Sequence, residues 1–390
     1  VLRREEILDS RGRLAGYRFS CRSAGPLADN SAAAYRAALQ AANVKAFAER
    51  RLAVIVISLD EWCDEDFVAL AGPLTVFQLD GPGADLDPIK QSGAGVALPI
   101  GRGAMPAAEL AQANMAVVDF SAAGFDAFER TVKTLKAEYP RVAIAVENLH
   151  SWTERRVCLA LGVEYALGDF LDKPDAEEAG DKLNRSRLIL IDMLNLLRTD
   201  ADVETVGEVA KRDPGVAVQV LAMANSPVQG LAAPVVGIDQ AIMVLGREAL
   251  YRWLAVAVFR AGGGEHDEAL LEVALARARF LELIGLIGLS KEEADELFLV
   301  GLLSFADLLL GRPMAELAQR LKLPLAVEDV LVRSDGRYAN YLRLTLVMEK
   351  GDAERAALLA AALGIEAGTL DAYRGVALLW AEEALRGNRG

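Results

Sequence analysis

The 390-residue chain is 53% apolar and 25% charged, which describes globular protein and excludes general disorder. Its formal net charge of -14 argues against nucleic acid as a partner, because duplex binding runs largely through basic patches that displace counterions. Cys21, Cys63 and Cys158 are widely spaced with no CxxC, which disfavours a disulfide framework or zinc knuckle and fits a reducing cytoplasm.

The only two histidines, His150 and His266, limit metal and acid–base chemistry from the outset. No uninterrupted apolar run reaches about 18 residues, so no membrane span is expected. The opening VLRREEILDS carries charge without a following apolar stretch and does not read as a signal peptide. The length suits two domains, each able to bury a core, with the boundary placed between residues 180 and 181.

In residues 1–180 short β-like runs alternate with helical ones. Ile7-Leu8 and Leu14 to Phe19 flank the turn Asp9-Ser10-Arg11-Gly12 and read as a hairpin. An alanine-rich helix is expected from Ala32 to Arg50. Apolar strands follow at Val54 to Leu59, Leu74 to Leu79, Val96 to Leu98, Met115 to Val118 and Val142 to Val146, with helices near Phe125 to Glu138 and Trp152 to Leu161. Continuous apolar strands between helices indicate an α/β fold with a parallel sheet covered on both faces, which could close as a barrel. About 180 residues is short for a full eight-fold barrel of about 250, so a trimmed or degenerate one is expected.

The words ILDSRGRLAGYRF and LGVEYALGDFLDKP, at opposite ends of this half, resemble a degenerate EAL domain, the fold of cyclic di-GMP phosphodiesterases. That resemblance implies two divalent cations held by acidic and amide side chains, assisted by Lys and Gln. Carried across by position, the early Glu falls on Arg18, the Asn near Ile57, the next Glu on Gln78 and an Asp pair on Pro99-Ile100. The Lys falls on Val117 with Asp119 retained two places on, a later acid on Glu147, a further Glu on His150, and the late Gln on Leu167 before Gly168. Magnesium-like cations need several hard oxygen ligands, which these strands scarcely offer. Arg18 would add repulsion of about 4 kcal/mol per unit charge at 4 Å and an effective dielectric near 20. Asp119 and Glu147 read as helix-capping or solvent-facing acids, and His150 as a structural residue before the Ser151/Glu154 capping box.

Asp172-Lys173-Pro174 and the polar DAEEAGDK mark the boundary, after which the chain is nearly all helix. Leu183 to Leu197 suggest a connecting helix. Asp213-Pro214 is a helix start, an acceptor at the N-cap before a proline that needs no N–H. Asn225-Ser226-Pro227 ends that helix, and Asp239 can cap the next one, which runs to Gly246. The DP of Asp213-Pro214, the NS of Asn225-Ser226 and Ala241 with Leu245-Gly246 closely resemble the HDOD module. This is a helical domain related to metal-dependent HD phosphohydrolases but lacking their ligand set. The resemblance extends through Ala274 to Gly285, Phe298 to Leu317 and Leu342 to Asp352.

His266-Asp267 is the pair that names the HD hydrolases, but that chemistry needs further ligands. Asp267 is better read as an N-cap after Gly262-Gly263-Gly264. Arg277 and Arg279 read as half-buried ion pairs that set helix packing, and Asn225 and Ser226 as groups satisfying exposed backbone.

The fold expected is therefore an EAL-type barrel followed by an HDOD helical domain. Its function is expected to be that of a non-catalytic scaffold with no catalytic, cofactor-binding or metal residues, no cofactor, and other signalling proteins as partners. The alternatives are a sensor that binds cyclic di-GMP without cleaving it, and an enzyme.

Overall fold

The computed structural model describes residues 2–21, 31–58, 67, 69–79, 86–101, 107–122, 124–175, 177, 183–226, 229, 234–261 and 265–386. Eight strands close into a barrel in sequence order: β1 (Arg3–Asp9), β2 (Leu14–Ser20), β3 (Leu52–Ile57), β4 (Thr75–Leu79), β5 (Gly95–Ile100), β6 (Met115–Asp119), β7 (Ala143–Leu149) and β8 (Tyr165–Gly168). β2 to β8 run parallel, whereas β1 is antiparallel to both β2 and β8. β1 and β2 are joined by a tight hairpin, with Asp9 Oδ1 accepting from Arg11 N and Arg13 N, each at 2.9 Å, and β1 pairs with β8 to close the barrel.

Period-2 alternation sorts the side chains. Ile7, Val54, Val76, Ala97, Met115, Val117, Ala145 and Leu167 fill the lumen, and their neighbours join the main core beneath the helices. Around the barrel lie α1 (Ala32–Ala41), α2 (Val44–Phe47), α3 (Asp87–Gln91), α4 (Ala107–Leu110), α5 (Phe125–Glu138) and α6 (Trp152–Ala160). The single helix expected from Ala32 to Arg50 is in fact two. Asn43 takes φ 52°, a left-handed conformation that helices do not propagate. Strand β8 has only four residues, too few for a pattern, and was not anticipated as a strand.

Helices then follow: α7 (Arg185–Arg198), α8 (Val203–Ala210), α9 (Pro214–Ala224), α10 (Ile238–Leu245), α11 (Arg247–Arg260), α12 (Glu265–Gly285), α13 (Lys291–Leu303), α14 (Ala306–Leu310), α15 (Met314–Arg320), α16 (Leu325–Arg333), α17 (Ala339–Glu349), α18 (Ala353–Ala362) and α19 (Leu370–Arg386). The proposed boundary at 180/181 lies outside the described residues, as does Gly262-Gly263-Gly264. Asp213 caps α9 as expected, accepting from Gly215 N at 2.8 Å and Val216 N at 3.2 Å. Ser290 and Glu293 form a complete capping box on α13. Asp239 does not cap α10. Gly237 is the N-cap, and Asp239 sits in the first turn, 3.5 Å from Lys211 Nζ.

Helix α12 is the spine of the helical part. It packs closely along α13, where a Cβ on Gly301 would lie 2.5 Å from Ala278 Cα, so only glycine permits that approach. It also reaches the barrel: Arg51 Nη2, at the start of β3, lies 3.0 Å from Glu272 on α12. On the other side Leu2 N donates to Asp371 Oδ1 at 3.2 Å, and Arg374 Nη1 to the Leu2 carbonyl at 2.7 Å, tying α19 to the head of β1.

Candidate functional site

The carboxyl ends of the parallel strands form one mouth of the barrel, where the chemistry of such folds is carried. By strand parity the inward positions there are Glu5 on β1, Arg18 on β2, Gln78 on β4, Pro99 on β5, Asp119 on β6 and Glu147 on β7. Arg18 is the centre of this set. Its Nε donates to Glu5 Oε2 at 2.9 Å, its Nη2 lies 2.8 Å from the same oxygen, and its Nη1 pairs with Glu147 Oε2. The three side chains keep only 8%, 17% and 12% of their surface in solvent, so the charges are held mostly by one another. Burial works against the charged guanidinium, but Glu5 and Glu147 outweigh it and raise its pKa above the ordinary value.

Sequence reasoning missed Glu5. Its signal was the hairpin register: Glu5 pairs directly with Arg18 across β1–β2, and opposite charges at facing positions stabilise each other. Glu147 was read as capping or solvent-facing; it is instead a partner of Arg18, because β7 turns it inward. Asp119 also points inward, and in place of the helix-capping or solvent-facing role expected, its Oδ1 accepts from Ser121 N at 2.8 Å and Ser121 Oγ at 2.7 Å in the turn after β6. Ile57 faces the helices, so the mouth position on β3 is Val56 or Ser58 instead. Ile100 faces outward as well, leaving Pro99 on the lumen side. Gln78 is buried, and its Oε1 accepts no hydrogen bond among the described residues.

His150 Nδ1 is 2.6 Å from Asp169 Oδ1, and Lys173 Nζ is 3.0 Å from the same carboxylate. Both His150 and Asp169 are more than half exposed. His150 N donates to Glu154, and Ser151 Oγ accepts from Glu154 N at 3.2 Å, which fixes the entrance to α6.

Among the described residues of this mouth, the Glu5 and Glu147 carboxylates that could serve the cations implied by the EAL resemblance are already paired with Arg18. Among the described residues, no group of three or more His, Cys, Asp or Glu side chains is placed to hold a metal ion.

In the helical part Asp267 differs from its expected role. Helix α12 starts at Glu265, so Asp267 lies within the first turn, buried, 3.5 Å from Arg187 Nη2. Arg187 is itself fully buried and donates to the carbonyls of Val258 at 2.9 Å and Phe259 at 3.1 Å, joining α7, α11 and α12. The His266 side chain lies outside what is described. Asn225 clamps a neighbouring segment: its Nδ2 donates to Val235 O at 2.8 Å, and its Oδ1 accepts from Val235 N at 2.7 Å. Arg279 pairs with Glu282 at 2.7 Å on its own helix and lies over the Trp380 ring.

Residues 189–328 match the family model described as HDOD domain. This stretch is an HDOD domain. It contains the Asp213, Asn225 and Gly246 words, whose roles are a cap, a clamp and a φ of 72° between α10 and α11. The chain is thus laid out as a closed eight-stranded barrel followed by an HDOD domain.

A relative named uncharacterized protein YuxH, from Bacillus subtilis (strain 168), is 26% identical over 210 residues, covering 53% of this chain and 51% of its own. Cyclic di-GMP phosphodiesterase CdgJ of Vibrio cholerae is 22% identical over 236 residues, covering 60% of this chain and 54% of its own. The matches therefore span about half the length of these relatives. Solved structures that overlap the barrel include the cGMP-bound EAL enzyme Bd1971, at 15% identity and TM-score 0.36, covering 43% of this chain and 60% of that one. Another is an EAL domain protein from Listeria monocytogenes EGD-e, at 13% identity and TM-score 0.35, covering 43% and 85%. At these scores the overlaps add nothing to what strand pairing already establishes.

A second concavity, about 300 Å³, opens where the barrel meets α12 and α17, lined among others by Glu5, Glu6, Asp172, Arg277 and Glu349. Arg277 grips Glu349 with two hydrogen bonds, Nε at 3.0 Å and Nη2 at 2.8 Å, donates to Ser304 Oγ at 2.7 Å, and stacks 3.9 Å from the Phe305 ring centroid. It is the packing ion pair expected from sequence. Burial pushes the Glu6 carboxyl up to about 7, against the pull of Arg4. Burial also raises Asp172, opposed by Arg277.

Proposed function

We propose that this chain is a non-catalytic signal-transduction protein whose EAL-like barrel and HDOD domain serve as protein–protein interaction surfaces. The observation that carries this reading is the Arg18 guanidinium seated between Glu5 and Glu147. A cation competing for those oxygens would have to displace an arginine already paired and largely out of water. Removing that partner without replacement is costly. Its working partners are other signalling proteins, and its compartment is the cytoplasm. No single described helix is long and apolar enough to cross a membrane.

A second reading keeps cyclic di-GMP as a ligand that is bound and not cleaved. It is favoured by the relative named as a cyclic di-GMP phosphodiesterase and by the Gln78 oxygen at the mouth, which has no hydrogen-bond partner among the described residues. Calorimetry and a hydrolysis assay with cyclic di-GMP, each with and without magnesium, separate the readings. A scaffold gives neither micromolar binding heat nor product. Heat without product moves the conclusion to the sensor, and magnesium-dependent turnover overturns both.

A further inference from the structure

In a parallel barrel each strand is covered by the helix that follows it, but the hairpin from Asp9 to Leu14 leaves no helix between β1 and β2. The outer face of β1 is covered from the far end of the chain instead. Arg4 sits among Phe280 of α12, Thr345 of α17 and Ala377 of α19. Gly351, just after α17, comes so close that a Cβ on it would lie 2.7 Å from Arg3 Cβ. Helices α17 and α19 both lie beyond residues 189–328, the stretch matched as HDOD.

Strand pairing gives that cover its importance. Arg3, Arg4, Glu5 and Glu6 pair with β2 alone, since β8 meets β1 only at Ile7, Leu8 and Asp9. The head of β1 is therefore an edge at the rim of the closed barrel, laddered on one side only. The cleft of about 300 Å³ opens here, between Glu5 and Glu6 of β1, Gly168 and Asp169 at the end of β8, and Val273 and Leu346 of the helices. What fixes the head is α19, through the bonds from Leu2 N to Asp371 Oδ1 at 3.2 Å and from Arg374 Nη1 to the Leu2 carbonyl at 2.7 Å. Period-2 alternation gives this one segment two faces. Arg4 and Glu6 turn outward toward the helices, while Glu5 between them turns into the mouth and holds Arg18.

We propose that the head of β1, Leu2 to Glu6, is a strap held down by α17 and α19, so that seating of these C-terminal helices and closure of the Glu5–Arg18–Glu147 triad are one event. Coupling needs an element with two arrangements, and here they are the head clamped by α19 and the head lifted from β2. Lifting withdraws Glu5 from Arg18 and opens the barrel wall beside β8 into the cleft. A protein partner that competes for α19 releases the strap from outside. Whatever draws Glu5 away from Arg18 loosens α19 by the same factor, because coupling between two sites is reciprocal. The strap needs neither a nucleotide nor a partner in order to exist, so its test is separate from that of the scaffold role.

The test is amide hydrogen exchange by mass spectrometry on the full chain with no ligand added. In the unmodified chain the head of β1 should exchange faster than β5, which is paired on both sides. Asp371→Ala removes the acceptor of Leu2 N and should speed exchange at the head of β1 and around Arg18 by about fivefold, the worth of one net hydrogen bond, with β5 unchanged. Arg18→Met, at the mouth, should in return speed exchange in the first two turns of α19 but not in α16, which packs on α13 and α15. Should Asp371→Ala fail to fold, Arg18→Met and the unmodified chain decide. Equal exchange at the head of β1 and at β5, no change at that head in Asp371→Ala, no change at α19 in Arg18→Met, or acceleration spread evenly over the barrel overturns the proposal.

Discussion

Replacing Arg18 with Met removes the guanidinium while keeping most of the aliphatic volume in the barrel mouth. Glu5 and Glu147 are then left facing the same space, with 17% and 12% of their side chains exposed and no cation between them. Breaking a buried pair by removing one partner typically costs about 3–5 kcal/mol. Partial exposure of the carboxylates and the freedom of Glu5 to reach Arg3, 3.2 Å away, bring the expectation to about 3 kcal/mol. The assay is urea unfolding followed by far-ultraviolet circular dichroism and by fluorescence, which includes Trp152 beside the barrel. Adding Glu5→Gln and Glu147→Gln should restore most of the loss. A single substitution costing under about 1 kcal/mol, the range of exposed pairs, would refute the claim that this triad is held out of water.

Three further outcomes are expected. Glu6 is held at about 7 in the folded chain against an ordinary 4.5, so its stabilising contribution is complete below the lower value and lost as pH rises through the upper. Glu6→Gln should therefore flatten the decline in melting midpoint between pH 5 and 8, by at most about 3 kcal/mol since 22% of that side chain is solvated. Gly375→Ala on α19 would place a Cβ 2.2 Å from the Ala42 carbonyl oxygen after α1, and should destabilise by about 1–3 kcal/mol, detectable as a lower melting midpoint. Asn225→Ala deletes both hydrogen bonds to Val235 and should cost about 2 kcal/mol, with faster amide exchange at Val235 as its local signature.

Much of the architecture was legible from residue order. Alternating apolar runs located seven of the eight strands, because a strand buried on both faces cannot be written in polar residues. Asp213-Pro214 and Ser290 with Glu293 announced helix starts because caps act over three or four residues, within reach of a local reading. Errors arose where one residue of register decides the outcome. Asp239 and Asp267, expected as caps, lie inside first turns.

The sequence by itself determined the two kinds of layer, the acidic balance, and the presence of an arginine where the EAL resemblance would place an acid. Only the tertiary structure decided what that arginine does. Glu5, Arg18 and Glu147 come from three strands, and their charges meet because the barrel closes β1 onto β2 and β7 turns Glu147 inward. The same holds at the seam, where Arg4 and Arg374 are 370 positions apart and share one void. Short-range pattern fixes what each segment can be. Electrostatic pairing depends on distance through space, which no spacing along the chain contains.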